Sequence, residues 1–179
     1  MDHIRVNDKL RLEKVNLSMA KVVFDTIDND REHLKQWLPF VDYTKQISDT
    51  EKFIASISNP ENKKDLIYSI WHKEEFAGLV GFKDTDWANR KTEIGYWLTS
   101  KMQGKGIITS CVEKLIRFAF KNQKLNRIQI KAAKQNTKSA SIPQKLGFTL
   151  EGVEREGELH QSGYFDLEVY SLLKSDLSK

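Results

Sequence analysis

The first third of the chain changes from an alternating to a helical spacing of apolar residues. Residues 4–15 alternate between apolar and polar positions, which predicts one long strand. Three helices are predicted to follow: residues 17–29 with Asn16 or Ser18 as the cap, residues 30–37, and a helix that begins at the capping-box sequence Ser48-Asp49-Thr50-Glu51. Pro39 ends the second helix, because the residue before a proline disfavours the helical conformation.

The rest of the chain alternates strands with two further helices. The predicted strands are, in order, residues 66–72, 76–83, 92–99, 127–133, 148–155 and 164–173. One helix opens near Gly106 and carries an apolar stripe that should pack on the sheet: Ile108, Cys111, Val112, Leu115, Ala119 and Phe120. The other opens at Asn136. This order predicts one α/β domain over residues 1–179, with helices on both faces of a single sheet.

Composition places the chain among globular proteins. It has 179 residues, of which 39% are hydrophobic and 30% are charged, and this excludes a disordered chain. No apolar run approaches the length of a membrane span, so no membrane partner is expected. Cys111 is the single cysteine and the first residues lack a secretion signal, so the expected location is the cytoplasm. No Cys, His and Asp cluster has metal-ligand spacing, and no metal is expected.

Charge is unevenly distributed along the second half of the chain. Between residues 101 and 150 the only acid is Glu113, among many lysines and arginines. Between residues 151 and 168 the only lysine or arginine is Arg155, among six acids. Both segments can be solvated faces, or they can attract an anionic ligand on one side and a cationic one on the other. Nucleic-acid binding by the basic segment is a further alternative, but no recognised nucleic-acid motif supports it.

The glycines at 104 and 106 lie at the start of a predicted helix. The first turn of a helix has free N–H groups and a partial positive charge, and glycine lets an anion approach the backbone. Lys105 adds a positive charge, so the segment is suited to a phosphate group. It matches neither of the common nucleotide motifs: Gly106 follows Lys105 where a P-loop needs Ser or Thr, and Thr109 takes the place of the last glycine of G-x-G-x-x-G.

The sequence Gln103-Gly104-Lys105-Gly106-Ile107-Ile108 resembles the Q/R-x-x-G-x-G/A motif of the GCN5-related N-acetyltransferases. Four other segments are similar to that family and occur in its order: WLPF at 37–40, EIGYWL at 93–98, NTKSASIPQKLGF at 136–148 and LEGVERE at 150–156. The WLPF segment is similar to the RimJ/RimL branch, which acetylates protein N-termini. Ile108 stands where the family usually has Gly or Ala, so its side chain is expected to turn inward.

The resemblance implies a fold and a cofactor. The implied fold is a single mixed, mostly antiparallel sheet of about seven strands, flanked by helices on both faces, with a splayed central strand pair. The implied cofactor is acetyl-CoA: its pyrophosphate lies on the loop and helix start, and its arm pairs with the strand before them. The residues implied to hold it are Trp97, Leu98, Thr99, Gln103, Gly104, Lys105, Gly106, Ile107, Ile108, Thr109, Asn136 and Ser139.

The resemblance also implies catalytic roles. Ser139 is the implied acid for the departing thiolate, although Asn136 and Ser139 also fit a simple helix cap. Glu158 is the implied base that deprotonates the amine, and the alternative is that Glu158 is a solvated residue near a turn. Glu93 is a rival candidate for the base, and His160 is a third. Trp37 and Phe40, either core residues or contacts, are the implied rim of the acceptor cleft. Pro143 should kink its helix by removing a hydrogen bond to the Ser139 carbonyl.

The resulting prediction is an acyltransferase that moves an acetyl group from acetyl-CoA to an α-amine, with the N-terminus of a ribosomal protein as the acceptor. The amine is expected to attack the thioester directly, because Cys111 lies on the apolar stripe. Two alternatives stay open: the same chemistry on a polyamine, amino acid or aminoglycoside, and a non-catalytic acyl-CoA-binding module. No nucleic-acid partner is expected, and the relatives suggest a homodimer.

Overall fold

A computed structural model describes residues 3–178 of the protein. The strands are β1 His3–Asn7, β2 Leu10–Lys14, β3 Leu66–His72, β4 Glu75–Asp86, β5 Lys91–Leu98, β6 Arg127–Ala133, β7 Thr149–His160 and β8 Gly163–Leu173. They form one sheet in the order β1-β2-β3-β4-β5-β6-β8-β7. The β5–β6 pair is parallel and every other pair is antiparallel. The predicted mixed, mostly antiparallel sheet is therefore confirmed.

Helices cover both faces of this sheet. They are α1 Ala20–Asn29, α2 Arg31–Leu34, α3 Ile47–Ser58, α4 Ile107–Lys121 and α5 Thr137–Lys145. Successive side chains of a strand point to opposite faces. Val80 and Ile94 therefore join the core under α4, while Leu79 and Trp97 join a second core under α1 and α3. None of the described helices is long and apolar enough to cross a membrane.

Two predicted elements in the first third of the chain differ from the structure. Residues 4–15 form a hairpin and not one strand, because the Asn7 side chain accepts a hydrogen bond from the Lys9 N–H at 2.9 Å and turns the chain. The sheet consequently has eight strands where about seven were predicted. Helix α3 begins at Ile47, because the Asp49 carboxylate accepts from the backbone N–H of Lys45 and Gln46 at 3.0 and 3.2 Å.

The central strands β5 and β6 part after three paired positions. Their register runs only from Lys91 opposite Arg127 to Glu93 opposite Gln129. Beyond this point β5 stays paired with β4, and β6 stays paired with β8. The two strands therefore leave a gap between residues 94–98 and the end of β6, which confirms the predicted splay.

Candidate active site

The turn before α4 requires glycine for its backbone and leaves open space above it. Gly104 has φ of 72° and Gly106, the N-cap of α4, has φ of 70°. Side chains disfavour this left-handed region by roughly 1–2 kcal/mol. A Cβ placed on either glycine would meet no atom of the described residues within 4 Å. The glycines are thus needed for conformation, and the space beside them is accessible to a ligand.

The first turn of α4 can bind an anion. Among the described residues no side chain caps this helix and no acid lies in its first turn. The N–H groups of Ile107, Ile108 and Thr109 have no acceptor within the helix, and they carry the positive end of its dipole. Ile108 is 7% exposed and belongs to the core, so its side chain does turn inward, as predicted.

Side chains from three elements meet beside this turn. The Gln103 amide nitrogen lies 2.8 Å from Nε2 of His33, and the Gln103 oxygen accepts from Nζ of Lys138 at 3.0 Å. The Asp30 carboxylate accepts from the N–H and the hydroxyl of Ser100 at 2.6 and 2.7 Å. Sequence reasoning missed His33, Asp30 and Lys138, because these contacts join positions 35 or 70 residues apart in the chain.

One edge of the gap is formed by the backbone of β5. The Thr99 N–H donates to the Ala77 carbonyl at 2.9 Å and is not free for a ligand, which corrects its predicted backbone contact. Backbone groups of a strand point alternately to its two neighbours. Trp97 therefore also faces β4, whereas Tyr96 and Leu98 turn their N–H and C=O groups into the gap.

Thr99 has a different feature that fits a ligand. Its side chain is 2% exposed, and its hydroxyl has no hydrogen-bond partner among residues 3–178. Buried polar groups are nearly always hydrogen-bonded, so this hydroxyl at the turn between β5 and the glycines is an available contact. The residues present at the gap and the glycine turn fit acetyl-CoA.

Ser139 contacts Tyr96 of β5, a residue to which the sequence analysis assigned no role. Asn136 caps α5 by accepting from the Ser139 N–H at 3.1 Å. Pro143 has no N–H to offer the Ser139 carbonyl, and the Tyr96 hydroxyl donates to that carbonyl at 3.1 Å instead. The Ser139 hydroxyl in turn donates to the Tyr96 oxygen at 3.3 Å. Burial raises the pKa of Tyr96 to about 12, despite the opposing hydrogen bond from Ser139.

Glu93 lies where β5 and β6 part, and both of its oxygens are occupied. One accepts from Nζ of Lys83 at 2.8 Å, and the other accepts from the Gln129 amide at 3.2 Å. Burial lowers the pKa of Lys83, but the charges of Glu93, Asp84 and Glu158 and the hydrogen bond to Glu93 outweigh it, and the net pKa is raised. Lys83 therefore stays charged, and Glu93 is committed to an ion pair.

Glu158 and His160 are partners and not alternatives. The Glu158 carboxylate lies 2.7 Å from Nε2 of His160, and its side chain keeps 39% of its surface exposed while that of His160 keeps 4%. The His160 ring stacks on Phe165 with a centroid distance of 4.1 Å, and Phe165 meets the edge of Trp37 at 6.3 Å. Trp37 thus reaches the β7–β8 hairpin. Phe40 lines a separate small cavity under α1 and α3.

Some residues of the basic segment 101–150 form ion pairs with residues of the acidic segment 151–168 across the sheet. Arg127 forms a two-pronged ion pair with Glu151 at 2.6 Å, and Lys131 pairs with Glu154 at 2.6 Å. These residues of the basic and acidic segments neutralise each other and are not ligand contacts. No group of three or more His, Cys, Asp or Glu within residues 3–178 is placed to hold a metal ion.

The sequence matches the family described as "Acetyltransferase (GNAT) domain" over residues 9–149. It is 32% identical to YdaF of Bacillus subtilis (strain 168), a provisionally assigned ribosomal N-acetyltransferase, over 96% of this chain and 95% of that protein. It is 27% identical to the ribosomal-protein-serine acetyltransferase of Escherichia coli (strain K12), with 94% of each chain covered.

A solved structure shows the same likeness in three dimensions. The microcin C7 self-immunity acetyltransferase MccE, in complex with acetyl-CoA and AMP, superposes with a TM-score of 0.90 at 33% identity, covering 96% of each chain. The splayed strands, the glycine turn and these relatives agree. The chain belongs to the GNAT family of acetyltransferases, in its RimJ/RimL branch, and is an N-acetyltransferase that uses acetyl-CoA.

Proposed function

We propose that the protein acetylates the α-amino group of a protein N-terminus, with ribosomal proteins as the acceptor class. The observation that carries the proposal is that the Glu158–His160 pair lies close enough to the Glu93–Lys83 pair, where β5 and β6 part, for the Glu158 charge to raise the pKa of Lys83. A partly exposed carboxylate beside this junction supports the proposal, because it can attract and deprotonate an ammonium group. The similarity to ribosomal-protein acetyltransferases supports the acceptor class.

Acetyl-CoA, when bound, supplies an activated acetyl thioester. The amides of Gln103–Thr109, together with Lys105, would hold its diphosphate. The gap-facing backbone groups of Tyr96 and Leu98 would hold the arm, with Asn136 and the Thr99 hydroxyl as further contacts. The first-turn N–H groups of α4 have no acceptor within the helix, the Thr99 hydroxyl has no partner among residues 3–178, and Tyr96 and Leu98 face the gap. The Gln103 N–H donates to the Ser100 carbonyl and the Asn136 side chain caps α5, so their contacts with acetyl-CoA would come from other groups of these residues.

Glu158 is the proposed base. An ammonium has no lone pair, so the acceptor must lose a proton before it attacks. Glu158 has an exposed carboxylate oriented by His160, whereas Glu93 is 13% exposed and held by Lys83 and Gln129. We therefore assign proton abstraction to Glu158, directly or through water, and assign Glu93 to holding Lys83 and the strand junction.

Ser139 is the proposed acid, with Tyr96 as its positioning residue. The Ser139 hydroxyl lies on the first turn of α5 at the edge of the gap. The Tyr96 hydroxyl accepts a hydrogen bond from it and donates one to the Ser139 carbonyl, and these two bonds orient Ser139. Direct attack by the amine is proposed because Cys111 is fully buried and burial raises its pKa to about 12. A thiol in that state is not a nucleophile.

An acceptor screen tests this function. Thiol release from acetyl-CoA and acceptor mass are followed with N-terminal peptides of ribosomal proteins, and in parallel with spermidine, free amino acids and an aminoglycoside. The proposal predicts acetylation of peptides. Acetylation of small amines alone would support a small-molecule acceptor, which the likeness to MccE, a structure with AMP bound besides acetyl-CoA, favours. Absence of turnover with every acceptor would point to a non-catalytic acyl-CoA-binding module.

A cytoplasmic location belongs to this proposal. Ribosomal proteins and the acetyl donor meet in that compartment, and the lone buried thiol of Cys111 needs no oxidising environment.

A further inference from the structure

The side chain of Gln103 joins two helices that pack on opposite faces of the sheet. Its amide nitrogen lies 2.8 Å from Nε2 of His33 on α2, and its oxygen accepts from Nζ of Lys138 on α5 at 3.0 Å. Leu34 of α2 belongs to the core under α1 and α3, whereas Ala140 of α5 belongs to the core under α4. The His33–Gln103–Lys138 bridge thus connects the two helical layers beside the glycine turn.

The same bridge connects the two sides of the gap between β5 and β6. Gln103 lies in the segment after β5, and Lys138 lies on the first turn of α5, the helix that follows β6. Beyond Glu93, which lies opposite Gln129, the two strands no longer pair. The hydrogen bond between Gln103 and Lys138 therefore ties together two segments that the sheet itself leaves apart.

The chemistry of the three side chains fixes the direction of both hydrogen bonds. A lysine ammonium can only donate, so the Gln103 oxygen faces Lys138 and the Gln103 NH2 group faces His33. Nε2 of His33 then accepts, and this assignment requires a neutral imidazole with its proton on Nδ1. Each partner holds one end of the amide, so the Gln103 side chain is fully oriented only when both partners are present.

A second contact holds the same segment against α2. The Asp30 carboxylate, at the N-cap of α2, accepts from the N–H and the hydroxyl of Ser100. The Ser100 carbonyl in turn accepts from the Gln103 N–H at 3.2 Å. Asp30 and His33 thus hold the two ends of one short turn. The glycine turn follows directly, so its position depends on these contacts.

We propose that His33 and Lys138 are positioning residues of the acetyl-CoA site and that both act through Gln103. The bridge fixes the segment that enters the glycine turn, and it thereby places the first-turn amides of α4 for the diphosphate. The inference rests on the proposed diphosphate site at residues 103–109 and is independent of the acceptor.

Calorimetry with coenzyme A tests the proposal, because it requires neither an acceptor nor turnover. His33→Leu and Lys138→Met each remove one end of the bridge, and each should weaken the Kd for coenzyme A about three- to tenfold, the size of one hydrogen bond. His33→Gln keeps an acceptor near the position of Nε2 and should keep the wild-type Kd. Because both partners act through one amide, the double variant His33→Leu/Lys138→Met should lose little more than either single variant.

Lys145→Met is the matched control for the loss of a positive charge. Lys145 is exposed on the same helix, about two turns after Lys138, and lies outside the bridge. Its replacement should leave the Kd unchanged. A Kd weakened as much as in Lys138→Met would assign the effect to charge alone and would overturn the proposal.

Three further outcomes decide against the bridge. Unchanged Kd values in His33→Leu and Lys138→Met, even with a lower Tm, would make it a purely structural contact. Equal weakening in His33→Gln and His33→Leu would exclude the hydrogen bond as the cause. Additive losses in the double variant would mean that Lys138 acts on the cofactor without Gln103.

Gly106→Ala distinguishes failure of this inference from failure of the proposed diphosphate site. If Gly106→Ala weakens the Kd for coenzyme A and the two bridge variants do not, only the positioning role of His33 and Lys138 is wrong. If Gly106→Ala also leaves the Kd unchanged, the diphosphate site and the inference that rests on it are both wrong.

Discussion

At the scale of single residues, the site depends on side chains whose partners lie far away in sequence. Tyr96 and Ser139 are 43 positions apart, and their contact follows from Pro143, which leaves the Ser139 carbonyl without a helical donor. The tyrosine hydroxyl fills that role. It thereby fixes both the start of α5 and the orientation of the proposed acid.

Replacement of Tyr96 by Phe should therefore affect both stability and rate. The Ser139 carbonyl loses its donor, which should lower the free energy of unfolding by about 1 kcal/mol. With Ser139 less well oriented, kcat should fall while KM for acetyl-CoA changes little. Urea denaturation and steady-state kinetics measure both effects. Tyr43→Phe, at a side chain that is 78% exposed, is the control. An unchanged kcat in Tyr96→Phe would remove Tyr96 from the mechanism.

The assignment of the base predicts different behaviour for the two glutamates. Glu158→Gln should lower kcat/KM for the acceptor by about 100-fold or more and abolish the rise of rate with pH. Glu93→Gln should keep that rise and lower stability, because Lys83 then keeps its charge without its ion-pair partner. The measurement is a pH–rate profile of both variants. The reverse result would make Glu93 the base.

Sequence reasoning identified Ser139, Glu93 and Glu158 but not how they are held. Residue type and family motif single out groups that can carry protons. The partners His160 and Tyr96 follow only from register and packing, because no local spacing relates position 96 to 139. The stack of His160 on Phe165 likewise needs the β7–β8 pairing to be known.

At the scale of elements, the start of α4 combines two requirements in one glycine. Gly106 must take a left-handed conformation, and it leaves the first turn of the helix open to a ligand. The sequence predicted this turn correctly, since glycine spacing and the apolar stripe are local signals. It did not predict the β1–β2 hairpin, or the extension of β7 to His160 beyond a bulge between Glu154 and Glu158, because a bulge interrupts the alternation.

Gly106→Ala should reduce both stability and coenzyme A affinity. The backbone conformation costs alanine roughly 1–2 kcal/mol, and relaxing that strain moves the first-turn amides. Gly147→Ala is a matched control, since Gly147 has φ of 77° and equally open surroundings but lies outside the proposed diphosphate site at residues 103–109. It should lose similar stability and keep its affinity. Calorimetry measures the affinity of both variants for coenzyme A. Equal affinities would contradict the assignment of residues 103–109 as the diphosphate site.

At the scale of the whole molecule, ion pairs join β6 to β7 across the intervening strand β8. Arg127 reaches Glu151, whose carboxylate also accepts from the Ser171 hydroxyl on β8 at 2.8 Å. From the sequence, the two charged segments could be solvated faces or could attract ligands of opposite charge. The fold shows that part of them stabilises the C-terminal half of the sheet. The expected homodimer stays a prediction.

This network predicts a stability change at low pH. The hydrogen bond from Arg127, then that from Ser171, lower the pKa of Glu151 from 4.5 to about 2. Because the pKa of Glu151 is lower in the folded than in the unfolded state, its contribution to folding stability is complete above about pH 4.5 and is lost as the pH falls towards 2. Glu151→Gln should cost about 1 kcal/mol or less at pH 7, since the pair is partly exposed, and almost nothing near pH 2. Urea unfolding at both pH values measures this, and an equal cost at both would exclude the ion pair as the cause.

The most direct test of acetyl transfer to an N-terminal α-amine is a competition between two peptides. One has the N-terminal sequence of a ribosomal protein with a free α-amine, and the other is the same peptide with a blocked α-amine and an added lysine. Both are mixed in equal amounts with enzyme and acetyl-CoA, and tandem mass spectrometry locates the acetyl group. Acetylation is expected at the free α-amine alone, whereas acetylation of the lysine, or of neither peptide, would contradict the proposed acceptor.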